Sequence, residues 1–292
     1  MPGSSRPRSA RSRPASVRSL TGRALAEPDL DAKAALVEEA LALWEAGRLA
    51  SGSGDDVEPV DVRTPGRPDR PTLVEPRALR SRRLTTPAGR VAAIHAVAHI
   101  EANAVNLALD AAHRFGGMPD AYYRDWLGVA AEEATHFRLL RGRLRDHGAE
   151  YGDLPAHDGL WTAAVRTADD VLRRMALVPR VLEARGLDVS PAMIERFAAA
   201  GDPATAEVLR VVLRDEVGHV AVGDRWFRHC CAERGLEPEG EFATLLDREG
   251  VTVAPPFNRA DRLRAGFAPG ELDRLEALSG SRSRPGPRAA PG

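Results

Sequence analysis

The stretch HAVAHIEANAVNLALD, residues 95–110, decides the fold. It is built from strong helix formers, chiefly Ala, Val and Leu, and it carries two histidines and one glutamate. Upstream, Thr86-Pro87 is a good N-cap and first-turn pair; downstream, Gly116-Gly117 is the next hard stop. The helix between them is about 29 residues, or roughly 43 Å at 1.5 Å per residue. With Glu101 at zero and 100° per residue, Ile94, Val97, Ala98, Ala104, Val105, Ala108 and Ala112 lie within about 60° of it. Glu101 therefore sits in the middle of the apolar face. His95 and His99 fall more than ~100° away, on a polar stripe with Asn106, Asp110 and His113.

The next long helix is expected from about Asp120 to Gly148. Glu133 shares its face with Trp126, Val129, Ala130, Phe137, Leu140 and Leu144, and His136 follows at i+3. Glu132 is turned aside by about 100°. Asp202-Pro203 opens another long helix that runs to Gly235. There Glu216 faces with Leu209, Val212, Leu213, Val220, Gly223 and Phe227, His219 follows at i+3, and Asp215 points away. Between these lies a helix from about Gly159 to Gly186, kinked by Pro179, with Glu183 near the phase of Leu172, Ala176 and Pro179. Ser190-Pro191 then opens a short helix ending at Gly201. Four long helices with short connections predict an all-α four-helix bundle.

Each long helix thus carries one inward glutamate near its middle. A buried unpaired carboxylate costs several kcal/mol, and four in one core repel one another. No buried Lys or Arg is visible on those faces, so two metal cations are the expected counter-charge. A lone Glu-x-x-His is weak, because polar i,i+3 pairs are common on helix surfaces. Two of them in phase with apolar faces, joined by two further inward glutamates, are strong: this is the di-iron or di-manganese carboxylate pattern of helical bundles.

The remaining chain frames that bundle, expected over residues 85–235. The composition is 43% hydrophobic with 5% aromatics, which suits close-packed helices. A formal net charge of −1 gives no field to recruit nucleic acid or anionic lipid. No apolar run approaches the ~20 residues of a membrane helix. Residues 1–24 hold six Arg and no acid, with no apolar core behind them, and read as a disordered basic tail rather than a signal. Residues 25–84 comprise a helix over 25–48, with Leu36, Ala40 and Trp44 on one side, and an irregular wrapping segment over 51–84. A C-terminal extension, 236–279, reads as a loop and a last short helix, and 280–292 as a disordered tail. The neighbouring Cys230 and Cys231 form no disulfide framework and point to a reducing, cytoplasmic setting.

The segments TPGRPDRPTLVEPR, AHIEANAVNLALD, EEATHFRLL, RMALVPRVLEARGLDVSP, RDEVGHVAVGDRWF and APPFNRADRLRAGF resemble the ferritin-like superfamily and, more narrowly, a bacterial family of ferritin-like domain proteins of uncharacterised function. The resemblance spans about residues 62–267. It implies a ferritin-like four-helix bundle with metal ligands Glu101, Glu133, His136, Glu183, Glu216 and His219, and no separate catalytic residue. Asn106 stands where relatives are expected to carry an acid; it lies off the metal face. The implied cofactor is two iron ions, with manganese as the alternative.

The expected function is that of a di-iron oxidoreductase, monooxygenase- or peroxidase-like, activating O₂ or peroxide on an unknown small-molecule substrate with an unknown electron donor. The alternative is a non-catalytic iron-binding protein or ferroxidase, or a purely structural helical protein. The paired CxxC motifs of a rubrerythrin-type electron-transfer domain are missing. A nucleic-acid substrate would need an Arg-rich surface at the pocket mouth and is unsupported. No membrane partner is expected, and a homodimer is left open. His95 and His99, though spaced i,i+4, are read as a hydrogen-bonded outer layer, or as support for the 51–84 segment. Tyr122, Tyr123 and Trp126 are read as packing rather than a radical relay, and Cys230 as a small buried hydrophobe. Asp215 is a candidate to hold the outer nitrogen of a ligand histidine, and Asp110 a weaker one.

Overall fold

The computed structural model describes residues 16–282, apart from 52–56, 58, 62, 64, 80 and 81. It is 71% helix, with no strand among the described residues. Helices α1 (Val17–Ala26) and α2 (Leu30–Glu45) come first. Ser16 Oγ caps α1 by accepting from Ser19 N, and Asp29 caps α2 by accepting from Asp31 N and Ala32 N. Residues 1–15 of the expected basic tail lie outside the described residues. The rest of it is helical, because Val17, Leu20, Ala24 and Leu25 recur at helical spacing and are buried. The buried face of α2 is Lys33, Ala34, Val37 and Ala40, so Leu36 and Trp44 are only partly covered.

Among its described residues, the irregular segment contains one 3₁₀ turn, Pro76–Ala78. Val60 N donates to His113 Nε2 at 2.8 Å, Gly66 N to Leu25 O at 2.8 Å, and Val74 N to Ala156 O at 2.8 Å. Helix α3 (Pro87–Arg114) starts where the cap predicts, with Thr86 Oγ1 accepting from Gly89 N at 3.1 Å. It packs along α4 (Asp120–Asp146).

The third expected helix is broken twice. Helix α5 (Gly159–Arg166) stops at Thr167, and α6 (Val171–Leu177) restarts from an Asp170 cap on Leu172 N. A π-helical turn, Val178–Glu183, then leads into α7 (Ala184–Ala199). Pro179 has no N–H to donate and its ring crowds the preceding turn, so the helix widens there rather than simply kinking. Neither Gly186 nor Pro191 interrupts α7, contrary to the expected stop and restart: Leu187, Ile194 and Phe197 are buried, and that packing outweighs the local propensity cost. Helix α8 (Pro203–Glu233) is capped by Asp202 as expected and packs on α4, α6 and α7. The C-terminal extension holds three helices rather than one: α9 (Pro238–Arg248), α10 (Arg259–Arg264) and α11 (Pro269–Arg282). Helix α11 overruns the expected start of the tail at 280; residues 283–292 lie outside the described residues.

Helix α8 meets the π turn at Gly223. A β-carbon there would lie 2.2 Å from Pro179 Cβ and Cγ. Gly223→Ala is therefore expected to destabilise the fold by about 1–3 kcal/mol through overpacking. Urea unfolding checks this; an unchanged midpoint would show that the two backbones separate freely.

Candidate metal centre

Glu101 on α3, Glu133 and His136 on α4, and Glu216 on α8 each offer one ligand atom, all within 4.8 Å of one another. A buried group of this kind could hold a metal ion. The Glu-x-x-His spacing puts acid and imidazole on one helix face, and the apolar residues in phase with them turn that face inward. Glu133 sits between the two histidines. Its Oε2 is 3.3 Å from His136 Nδ1, and its Oε1 is 3.0 Å from His219 Nδ1. Glu101 Oε2 also approaches His136 Nδ1 at 3.3 Å, and Glu216 Oε1 lies 3.7 Å from His219 Nδ1. Glu183, at the end of the π turn, makes no hydrogen bond to the group; its Oε2 is buried and unpartnered.

The outer nitrogens are held by acids in a crossed arrangement. His136 Nε2 of α4 lies 3.2 Å from Asp215 Oδ2 of α8, and His219 Nε2 of α8 lies 2.7 Å from Glu132 Oε2 of α4. A carboxylate there keeps Nε2 protonated and leaves Nδ1 facing the glutamates. The role expected for Asp215 is thus seen in the geometry. Its counterpart Glu132 was missed, because a helix wheel turns it away from the apolar face. The signal was in the sequence: EEATH and DEVGH are the same acid-Glu-x-x-His pattern twice.

Burial pushes the Glu101 carboxyl well above its ordinary range, and the Glu133 charge adds to it. Burial likewise raises Glu183 to about 8, reinforced by Glu216 and Glu133, and raises Glu216. Burial opposes the charge on Glu133 too, but His219 and His136 overcome it and hold this carboxyl below the usual range. Burial disfavours charge on His136, yet Glu101 and Glu133 lift it to about 11. Glu133 and Glu132 similarly lift His219. Positive charge is therefore what the cluster demands, and protons supply it when no cation does.

The polar stripe of α3 is separate. His95 is buried, its Nε2 accepting from Gly152 N at 2.9 Å and its ring stacked on Tyr151. His99 lies 2.9 Å from Tyr151 Oη and 3.1 Å from His157 O. Neither is solvated, and neither reaches the glutamates. Asn106 accepts from Lys33 Nζ, away from the cluster. Asp110 pairs with Arg114 and Arg174, not with a site histidine. Tyr122 and Tyr123 are buried and donate to Ala111 O and Phe115 O. Both cysteines are buried free thiols, and burial lifts each to about 11.

No helix among the described residues is long and apolar enough to cross a membrane. A family model described as "Protein of unknown function (DUF455)" matches residues 26–273. An uncharacterized protein of Haemophilus influenzae (strain ATCC 51907 / DSM 11121 / KW20 / Rd) is 45% identical over 214 residues, which cover 70% of this chain and 74% of the relative. No solved structure matches. A match over most of the chain, together with a relative of that identity, places the protein in the DUF455 family, whose function is unknown.

Proposed function

We propose that this chain is a ferritin-like di-metal carboxylate protein, an oxidoreductase that uses two iron ions, or manganese, to activate O₂ or peroxide on a small-molecule substrate. One observation carries the reading. Glu183 Oε2 is buried without a hydrogen-bond partner, and Glu101 Oε2, Glu133 Oε1 and His219 Nδ1 are buried without a well-aligned hydrogen bond, although Glu133 Oε1 lies 3.0 Å from His219 Nδ1 and Glu101 Oε2 3.3 Å from His136 Nδ1. Among the described residues, no lysine or arginine pairs with any of the four glutamates. Buried polar atoms are rarely left in this state without a reason, and a missing cation is a recognised one. Carboxylate and imidazole donors suit iron and manganese.

When bound, such a pair supplies Lewis acidity and one-electron chemistry. The chain's residues divide the remaining work. Glu133 would serve both positions, because its two oxygens face different histidines. Glu101 would belong with His136 and Glu216 with His219, and the unpartnered Glu183 would complete the set. Asp215 and Glu132 fix the imidazole orientations through the Nε2 protons. A groove of about 700 Å³ between α4 and α8 is lined by Val129, Ala131, Glu132, His136, Asp215 and His219, and would bring a small substrate to the histidine side of the cluster.

The protein reconstituted with iron(II) without oxygen is expected to hold about two ions per chain, as the ligand set requires. Elemental analysis after desalting tests it. Persistent absence of metal would defeat the reading. Uptake far beyond two per chain would favour the iron-storage alternative.

A further inference from the structure

We infer that Arg180 is a positioning residue for Glu183: its buried guanidinium, tied to α8 and α11, holds the π turn in the register that brings Glu183 to the second metal position. The inference rests on the di-metal reading above. Arg180 is fully buried and stands three residues before Glu183 in the same turn. Its guanidinium carbon lies 4.0 Å from the ring centre of Phe242, 4.4 Å from Phe227 and 4.8 Å from Phe267. Its Nε is 3.1 Å from Asp224 Oδ1, and its Nη2 donates to Glu271 Oε1. Arg228 closes the ring of charges: its Nε donates to Asp224 Oδ2 at 2.8 Å and its Nη2 to Glu271 Oε2 at 3.1 Å. Glu271 Oε2 also accepts from Ala268 N at 2.9 Å.

Three elements therefore meet at one side chain. Asp224 lies eight residues beyond Glu216 on α8, and Glu271 opens α11. Burying ions is expensive, and apolar side chains of similar volume fill such a space at least as stably. What a paired, caged guanidinium adds is a defined direction. A π turn needs that. It holds one residue more than an α turn, and relaxation to the α register would swing Glu183 by about 100° around the helix axis. Glu183 has no partner of its own to resist this. Arg180 resists it from inside the turn, while Pro179 is pressed against Gly223. Of the carboxylates at the cluster, Glu183 is the one carried by this turn, so loss of the clamp should remove one metal and spare the other.

Cobalt(II) titration of the full-length protein, followed by visible absorbance and equilibrium dialysis, tests this. Wild type is expected to take two cobalt ions per chain. Arg180→Gln, Glu183→Gln and the double variant are each expected to take one, the equality of the three showing that both residues act through the same ligand. Arg114→Gln breaks a pair within α3, with the buried Asp110, outside the π turn and its clamp, and should weaken the fold yet keep two cobalt ions. Should Arg180→Gln not fold, Glu271→Gln loosens the clamp from the α11 side and is expected to weaken the second cobalt ion at least tenfold. Two tightly held ions in the Arg180 or Glu271 variant, or loss of one in Arg114→Gln, overturns the inference alone. A wild-type protein that takes no cobalt overturns the di-metal reading itself.

Discussion

Glu133→Ala is expected to bind no metal, whereas His95→Ala keeps the full complement. Both residues are buried on neighbouring helices, so burial does not separate them. Glu133 alone places one oxygen against each of His136 and His219, so on the proposed di-metal reading its removal would strip a donor from both positions at once. Outer partners of metal ligands already cost 10–100-fold in affinity, so a shared ligand is expected to cost more than about 100-fold. His95 Nε2 accepts one backbone hydrogen bond, from Gly152, on the opposite side of α3. Losing it leaves the buried Gly152 N–H unsatisfied, at about 1–3 kcal/mol of stability, and removes nothing from the cluster. Elemental analysis of the two variants, reconstituted side by side, gives the answer. Equal loss in both would mean that the inward face of α3 has been misassigned.

The second large effect is on stability. Asp110→Ala is expected to destabilise the protein by about 3–5 kcal/mol, the cost of leaving a buried ion without its partner. The Asp110 carboxylate is fully buried and accepts from Arg114 Nη2 at 2.6 Å and Arg174 Nη1 at 2.5 Å. Arg174 is itself buried, and its remaining contacts, Thr167 Oγ1 and Ala164 O, carry no formal charge. The melting temperature should fall by roughly 6–20 °C for a chain of this size. The effect has a definite pH dependence. Burial would raise the Asp110 carboxyl, but Arg174 and Arg114 overcome it and hold it below its ordinary value. The folded state thus binds the proton less readily than the unfolded one, so the stabilisation is present above about pH 4 and is lost as pH falls below it. Melting curves of wild type and variant should converge in acid. A constant gap down to pH 2 would show that the ion pair is not its source.

Where helix ends were legible, the reason was local chemistry. Thr86, Asp202 and the glycines at 148 and 235 act within one turn, so α3, α4 and α8 begin and end close to where the sequence places them. The inward glutamates were legible for the same reason, since phase along a straight helix is arithmetic. Glu183 was read through a proline, and what decides its place is a widened turn that no wheel represents. The polar stripe of α3 was half legible. A wheel shows that His95, His99 and Asp110 share a side, but not that segments distant in sequence cover it. Helix α1, the residues around 149–158 and the wrapping segment do so, each supplying backbone groups or rings to the stripe. In α1 itself, the arginine-rich composition obscured an apolar spacing that long-range packing rewards.

The exchange of outer acids between α4 and α8 has a mechanical consequence. Each helix carries both a ring to be steadied and the acid that steadies the other's ring, so sliding or turning either one breaks two hydrogen bonds together. The two rods are keyed in a single alignment. Disturbance at one imidazole is then passed to the other through the paired helices, whereas a change in the π turn, which carries neither ring, leaves both of these hydrogen bonds in place.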